Sequence, residues 1–286
     1  MQRIWAGLLC CLVLAACGRT PSTGWQDVDG RRVYLDETGT PLTGWQELGG
    51  RTYCFRPDGT PLTGWVPGEE GSRYFALDGA MLTGQQQVDG VTCFFAPNGV
   101  QVLLVNPQHT LPPDYAVKLQ DIGGGRQIAA RCYEDLQAML ADCKAAGGSP
   151  AVCSAYRSPQ RQQELFDRKV RYYLRQGHDD ATAAQLAGTV VARPGTSEHE
   201  LGLALDIVDT HHWNLDDSQA DTPTQQWLMA HSWEYGFLLR YPAEKTTVTG
   251  VIYEPWHYRY LGRPLAKDVQ ESGLCLEEFL GAKAPR

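Results

Sequence analysis

Apolar and polar positions follow three different rhythms along this chain. The first is a single apolar block, residues 4–16, behind the lone charge of Arg3. It is too short to span a bilayer and reads as a signal segment. The second is a beat of twenty residues. Thr23-Gly24-Trp25, Thr43-Gly44-Trp45, Thr63-Gly64-Trp65 and Thr83-Gly84-Gln85 recur, each followed by polar residues, a turn glycine (Gly30, Gly50, Gly71, Gly90), an aromatic stretch and a second glycine (Gly39, Gly59, Gly79, Gly99). Short aromatic strands joined by glycine turns predict β-hairpins. One hairpin cannot bury its own face, so the repeat predicts a stacked solenoid over residues 22–103.

The third rhythm begins after a proline-bearing connection, residues 104–118. Cys132, Leu136, Met139, Leu140 and Cys143 lie at helical spacing, and Gly147-Gly148 ends the pattern. Residues 151–156 read as a strand. Ser158-Pro159 then supplies an N-cap and first-turn proline for a helix with Phe166, Val170, Tyr173 and Leu174 on one face. A short Ala-rich helix is predicted over 179–187, a strand over 203–208 and a helix over 225–235. Two more strands, 248–254 and 258–261, flank Glu254-Pro255-Trp256-His257. Strands and helices mix without βαβ alternation. The expected class is therefore α+β: a small antiparallel sheet flanked by helices over 119–286, preceded by the hairpin solenoid.

Composition narrows the setting. A chain of 286 residues with 43% hydrophobic and 20% charged residues has room for two domains. A net charge of −8 argues against a nucleic-acid partner. Leu14-Ala15-Ala16-Cys17 resembles a bacterial lipobox, which implies that residues 1–17 form a lipoprotein signal segment, cut before Cys17, with a lipid anchor on that cysteine. The expected location is then the extracellular face of the membrane, next to the wall; a plain secretory signal is the alternative. Of nine cysteines, six remain after this segment: Cys54, Cys93, Cys132, Cys143, Cys153 and Cys275. An even number outside the cytoplasm suggests disulfides, with buried thiols as the alternative. Cys132 and Cys143 would lie roughly 16 Å apart on one helix, too far to bridge. The expected pairs are Cys143–Cys153 and Cys132–Cys275, leaving Cys54–Cys93.

The candidate chemistry sits in Ser197-x-His199-x-x-Gly202-x-Ala204-x-Asp206 and Glu254-x-Trp256-His257. Two imidazoles and a carboxylate suit Zn²⁺ and leave a fourth position for water, the pattern of a catalytic zinc. Glu254 is the residue type that takes a proton from that water. A lone His is more often structural, but Asp206 in a strand of Leu, Ile and Val is costly to bury without a cation. Asp209, His211 and His212 form a rival cluster that reads better as a solvated loop. His109, His178 and His231 read as incidental. Lys245-Thr246-Thr247 lacks the glycine of the serine-peptidase K-T-G motif, and its partner motifs are not present as a set.

These blocks, with Ser154-Ala155-Tyr156-Arg157-Ser158 and the following Gln162 and Gln163, resemble the zinc D-Ala-D-Ala carboxypeptidases of the VanY type. The resemblance covers roughly the C-terminal 170 residues. It implies His199, Asp206 and His257 as zinc ligands, Glu254 as general base and Arg157 as the cation facing the oxyanion. It also implies that Ser197, Gln162, Gln163, Trp256 and Tyr156 shape the substrate site for peptidoglycan stem peptides. L,D-carboxypeptidase and D,D-dipeptidase activities stay open alternatives, as does an inactive wall-binding lipoprotein. The N-terminal repeats resemble those of choline-binding and glucan-binding proteins, which implies a cell-wall polymer as a further partner. They depart from that pattern at Arg32, Thr52, Arg73 and Thr92, where a choline cage needs Trp, and at Gln85. A plain spacer fits them equally.

Overall fold

The computed structural model describes residues 23–68 and 71–282. Cys17 and the apolar block before it lie outside the described residues. Chain contacts divide the protein into two units, Met1–Val66 with Phe75–Met81, and Pro67–Tyr74 with Leu82–Arg286.

The twenty-residue beat folds as hairpins. Strands β1 (Gly24–Val28) and β2 (Arg31–Leu35) pair antiparallel, as do β3 (Gly44–Leu48) and β4 (Arg51–Phe55). The shorter β5 (Gly64–Val66) and β6 (Arg73–Phe75) form a two-stranded sheet. The turns hold two successive left-handed residues, Asp29-Gly30 at φ 50° and 74° and Gly49-Gly50 at 58° and 73°. That geometry matches the twist of the flanking strands, which is why the glycines recur. In the first unit Trp25 packs edge-on to Tyr34 and Tyr53, centroids 5.4 Å away in both cases, over a core of Tyr53, Phe55 and Ala80.

The last hairpin, β7 (Gly84–Val88) and β8 (Val91–Phe95) with β9 (Gln101–Val102), belongs to the second unit. Phe94, Ala96, Val102 and Leu104 share a core cluster there with Leu238, Leu265, Val269, Leu276 and Leu280. The connection after it is also built in, since Leu104, Val105 and Asn106 are all buried.

A small hairpin, β10 (Leu119–Gly123) with β11 (Arg126–Ala129), precedes helix α1 (Tyr133–Ala145). The central sheet is antiparallel, in the order β12 (Pro150–Ser154), β13 (Ala204–Asp209), β15 (His257–Tyr260), β14 (Phe237–Leu239). Helix α2 (Pro159–Leu174) starts at Ser158, whose hydroxyl accepts from Arg161 N, with Pro159 in the first turn. Helix α3 (Asp180–Gly188) follows, and α4 (Pro223–His231) continues into a 3-10 turn, Ser232–Tyr235. The chain closes with α5 (Thr246–Thr249), α6 (Arg263–Ser272) and α7 (Leu276–Phe279). Every residue of β13 is buried, packed among Leu136, Met139, Leu201, Leu228 and Phe237. No helix among the described residues is long and apolar enough to cross a membrane.

Two expectations are corrected. Residues 248–254 are not a strand: Thr246–Thr249 forms α5, which stops at Gly250 in the left-handed region. Extended structure resumes only at His257. The disulfide scheme also fails, because Cys93, Cys132, Cys143, Cys153 and Cys275 are free thiols. The core takes up Cys132, just before α1, and Cys143, on α1, as small apolar residues beside Leu136 and Met139. Cys153 instead points its thiol at the Asp206 carbonyl, 3.3 Å away. Burial pushes the Cys132 and Cys153 thiols up to about 12, so both stay protonated near pH 7.

Candidate metal centre

The three expected ligands converge from three elements. His199 sits on the 3-10 turn Glu198–Leu201, which ends at Gly202 with φ 70°. Asp206 lies mid-strand in β13, and His257 opens β15 directly opposite it in the register. One ligand atom from each lies within 4.8 Å of the others, and all three side chains are buried. His199 Nε2 is 3.2 Å from Asp206 Oδ2, and His257 Nδ1 is 3.2 Å from Asp206 Oδ1.

The nitrogens facing inward are set by what the outer ones do. His199 Nδ1 is 2.8 Å from the Ala155 carbonyl, so it carries the proton and leaves Nε2 a bare lone pair. His257 is the reverse. Its Nε2 lies 3.4 Å from Glu198 Oε2, and its Nδ1 faces Asp206. Asp206 Oδ1 is buried and has no hydrogen-bond donor. A buried carboxylate with one oxygen lacking a hydrogen bond, His257 Nδ1 facing that oxygen and His199 Nε2 facing the other, fits a divalent cation and is otherwise costly.

Charge is organised around this point. Arg157 Nη2 meets Asp206 Oδ2 at 2.7 Å, and the guanidinium also donates twice to Ser154 Oγ, at 3.0 and 2.7 Å. Burial and the neighbouring Arg157 cation lower His199 to about 4, so it is neutral near pH 7. Burial opposes the charge on Asp206, yet its pKa lies well below the usual carboxylate range because His199, His257 and Arg157 surround it. Glu254 Oε2 stands 3.6 Å from His257 Nδ1 at the same focus. Burial, with the nearby Asp206 and Glu198 charges, raises Glu254 to about 7 against the pull of His257 and Arg157. A carboxyl poised there can both take and return a proton at neutral pH.

A cleft of about 1120 Å³ opens over the site. Ser197 and Trp256 line it together with Arg157, Glu254 and the ligands. The other substrate candidates do not. Gln163 is exposed on α2 and donates to Asp167 Oδ1 at 2.7 Å. Gln162 is buried behind the cleft, holding the Ala192 carbonyl at 2.6 Å. Tyr156 is half-buried two residues past the end of β12, its amide bonded to the Gln127 carbonyl. The rival cluster has structural employment: Asp209 accepts from Thr224 Oγ1 and from His211 N.

Sequence reasoning missed a second layer. Glu198, Arg240, Arg259 and Glu277 are buried charges that face one another behind His257. Only Glu198 carried a signal, through its place beside His199. The arginines are single charges in apolar runs, and their partners are remote in sequence.

A D-alanyl-D-alanine carboxypeptidase profile, VanY, matches residues 125–263. A D-alanyl-D-alanine carboxypeptidase of Enterococcus faecalis is 42% identical over 183 residues, 64% of this chain and 66% of that protein. The carboxypeptidase YodJ of Bacillus subtilis, named as putative, is 33% identical, over 68% of this chain and 71% of its own length. Among solved structures, a vancomycin-resistance D,D-pentapeptidase VanY with Zn(II) aligns at TM-score 0.57 and 42% identity, covering 62% of this chain and 97% of that one. The LD-carboxypeptidase LdcB aligns at TM-score 0.54 and 31% identity, over 71% and 95%.

Proposed function

Because the chain belongs to the VanY family of D-alanyl-D-alanine carboxypeptidases, we propose that it is a zinc carboxypeptidase that removes the terminal D-Ala from peptidoglycan stem peptides. The observation that carries this reading is the buried Asp206 carboxylate, one oxygen of it without a hydrogen bond, flanked by two inward-facing imidazoles, with Glu254 alongside. His199, Asp206 and His257 hold the metal. A bound Zn²⁺ supplies Lewis acidity to the scissile carbonyl and lowers the pKa of its water.

The chain's own groups do the rest. Glu254 takes the proton of the attacking water and returns it to the departing D-Ala amine. Arg157, held by Ser154, presents positive charge to the oxyanion as it forms. Ser197 and Trp256 line the cleft where the last residue sits: the hydroxyl suits the terminal carboxylate, the indole its methyl. An exopeptidase needs that carboxylate anchor to reject internal bonds.

The finer assignments extend the same reading. Cys17 anchors the chain by lipid at the outer face of the membrane, where two or more acyl chains bind firmly. Trp45 and Trp65 are 54% and 43% exposed on the hairpins, and such faces suit a wall polymer. L,D-carboxypeptidase activity is the second reading, favoured by the likeness to LdcB over 95% of its chain.

The test is digestion of muropeptides with tri-, tetra- and pentapeptide stems, read by mass spectrometry beside metal analysis. Loss of one D-Ala from the pentapeptide, with about one zinc per chain, is expected. His199→Ala and His257→Ala should lose metal and turnover together. Cleavage of the tetrapeptide alone would move the assignment to the L,D class. Full zinc in both His variants would remove the ligand set.

A further inference from the structure

The carboxylate behind the second imidazole is tied to parts of the chain far from the motif blocks. Glu198 Oε2 faces His257 Nε2 at 3.4 Å. Its other oxygen, Oε1, accepts from Arg240 Nε at 2.8 Å and from Arg259 Nη1 at 2.9 Å. Arg240 forks onto Glu277 of α7, with bonds of 2.8 and 2.6 Å. The same Glu277 Oε1 accepts from Asn106 Nδ2 at 3.3 Å, and Arg259 Nη2 donates to the Leu103 carbonyl at 3.0 Å.

Two cations and two carboxylates make this cluster neutral, and all four side chains are buried. Such a cluster is tolerated only when each donor and acceptor is matched; removing one partner leaves an uncompensated charge in a dry setting. Each member therefore fixes the others. Glu198 is held to one position by two guanidiniums, and it meets the ring atom of His257 opposite the one that faces Asp206. A carboxylate on the outer nitrogen of a metal-bound imidazole sets the tautomer and ring orientation and raises ligand basicity.

We propose that Glu277 and residues 103–106 are positioning elements of the metal centre. They hold Arg240 and Arg259 against Glu198, and Glu198 fixes His257. This rests on the reading that His199, Asp206 and His257 bind zinc. On this account the segment between the last hairpin and the catalytic elements is part of the site's support, and so is the C-terminal helix.

Zinc affinity of the full chain, measured by chelator competition, tests the relay. Glu198→Gln should weaken binding by about 10–100-fold. Glu277→Gln should weaken it in the same direction, and Glu277→Asp, which keeps the charge, should lie closer to the native value. In the double variant, Glu198→Gln with Glu277→Gln, the second substitution should add little, because both act on one arginine. The visible spectrum of the Co²⁺-substituted protein should shift in both Gln variants. Native zinc affinity and a native Co²⁺ spectrum in Glu277→Gln would overturn the relay, even with a lowered melting temperature, as would full additivity in the double variant. If Glu198→Gln does not accumulate as folded protein, the two Glu277 variants carry the comparison. A native chain that takes up no zinc would overturn the metal assignment and the relay with it.

Discussion

At the scale of single residues, the site separates holding from reacting. His199 and His257 have their outer nitrogens engaged and their inner ones turned to Asp206. Glu254 stands beside them without being one of the three convergent ligands. Glu254→Gln should therefore keep zinc while kcat falls by at least ~10²-fold, the scale of a positioned acid–base group. Metal analysis and steady-state kinetics on one preparation check this, and near-normal turnover would assign the proton transfer elsewhere. Arg157 differs because it touches a ligand directly, 2.7 Å from Asp206 Oδ2. On the proposed mechanism its charge is matched to the oxyanion rather than to the ground state, so Arg157→Ala should depress kcat/KM mainly through kcat. An effect confined to KM would make it a binding group instead.

At the scale of elements, Gly202 explains why the first motif needs a glycine. The 3-10 turn carrying His199 must reverse into β13 within a few residues, and Gly202 does so at φ 70°. A Cβ there would come within 3.3 Å of Ala129 N and of a Leu119 methyl. Gly202→Ala should cost about 1–2 kcal/mol from the left-handed backbone alone, read as a lower urea midpoint; an unchanged midpoint would show that the turn relaxes. The same local logic decides what was legible beforehand. Strand β13, helix α2 with its Ser158 cap, and the hairpins all announce themselves by local chemistry, and each is found in place. The stretch after Lys245 does not. Thr246-Thr247-Val248-Thr249 is β-branched and reads as a strand, but Thr249 is buried with its hydroxyl on the Val251 carbonyl and Gly250 stops a short helix. Tertiary packing overrides propensity there. The convergence of His199 and Asp206 was legible because one turn and one strand fix their spacing, whereas His257 was picked out by its Glu254-Pro255-Trp256 neighbours and meets those two ligands only through strand pairing. Gln162 and Gln163 were misplaced as cleft residues because sequence does not show which face of α2 meets the cleft. The charged layer behind His257 was hidden because residues 198, 240, 259 and 277 meet only in the folded chain.

At the scale of the molecule, the Arg240–Glu277 pair links α7 to strand β14's end and makes part of the stability depend on pH. Burial disfavours the Glu277 charge, but Arg240 outweighs it and lowers the carboxyl below its ordinary value. A depressed folded pKa contributes stability that is complete above the unfolded value, about 4.3 for Glu. That contribution is lost as pH falls through the folded value. Urea unfolding of the zinc-free chain should therefore show stability falling below about pH 4, with a shallower acid limb in Glu277→Gln. An identical limb in both proteins would mean that other carboxylates dominate.

Asp206 and His257 face each other across neighbouring strands, while His199 arrives from the turn before the first of them. A slip of one residue between β13 and β15 would send His257 to the opposite side of the sheet. The ion is thus a gauge of correct assembly: it can lodge only in a chain zipped in the native register, and by lodging there it stabilises that chain alone. A misregistered chain gains nothing from the metal and stays exposed to proteolysis.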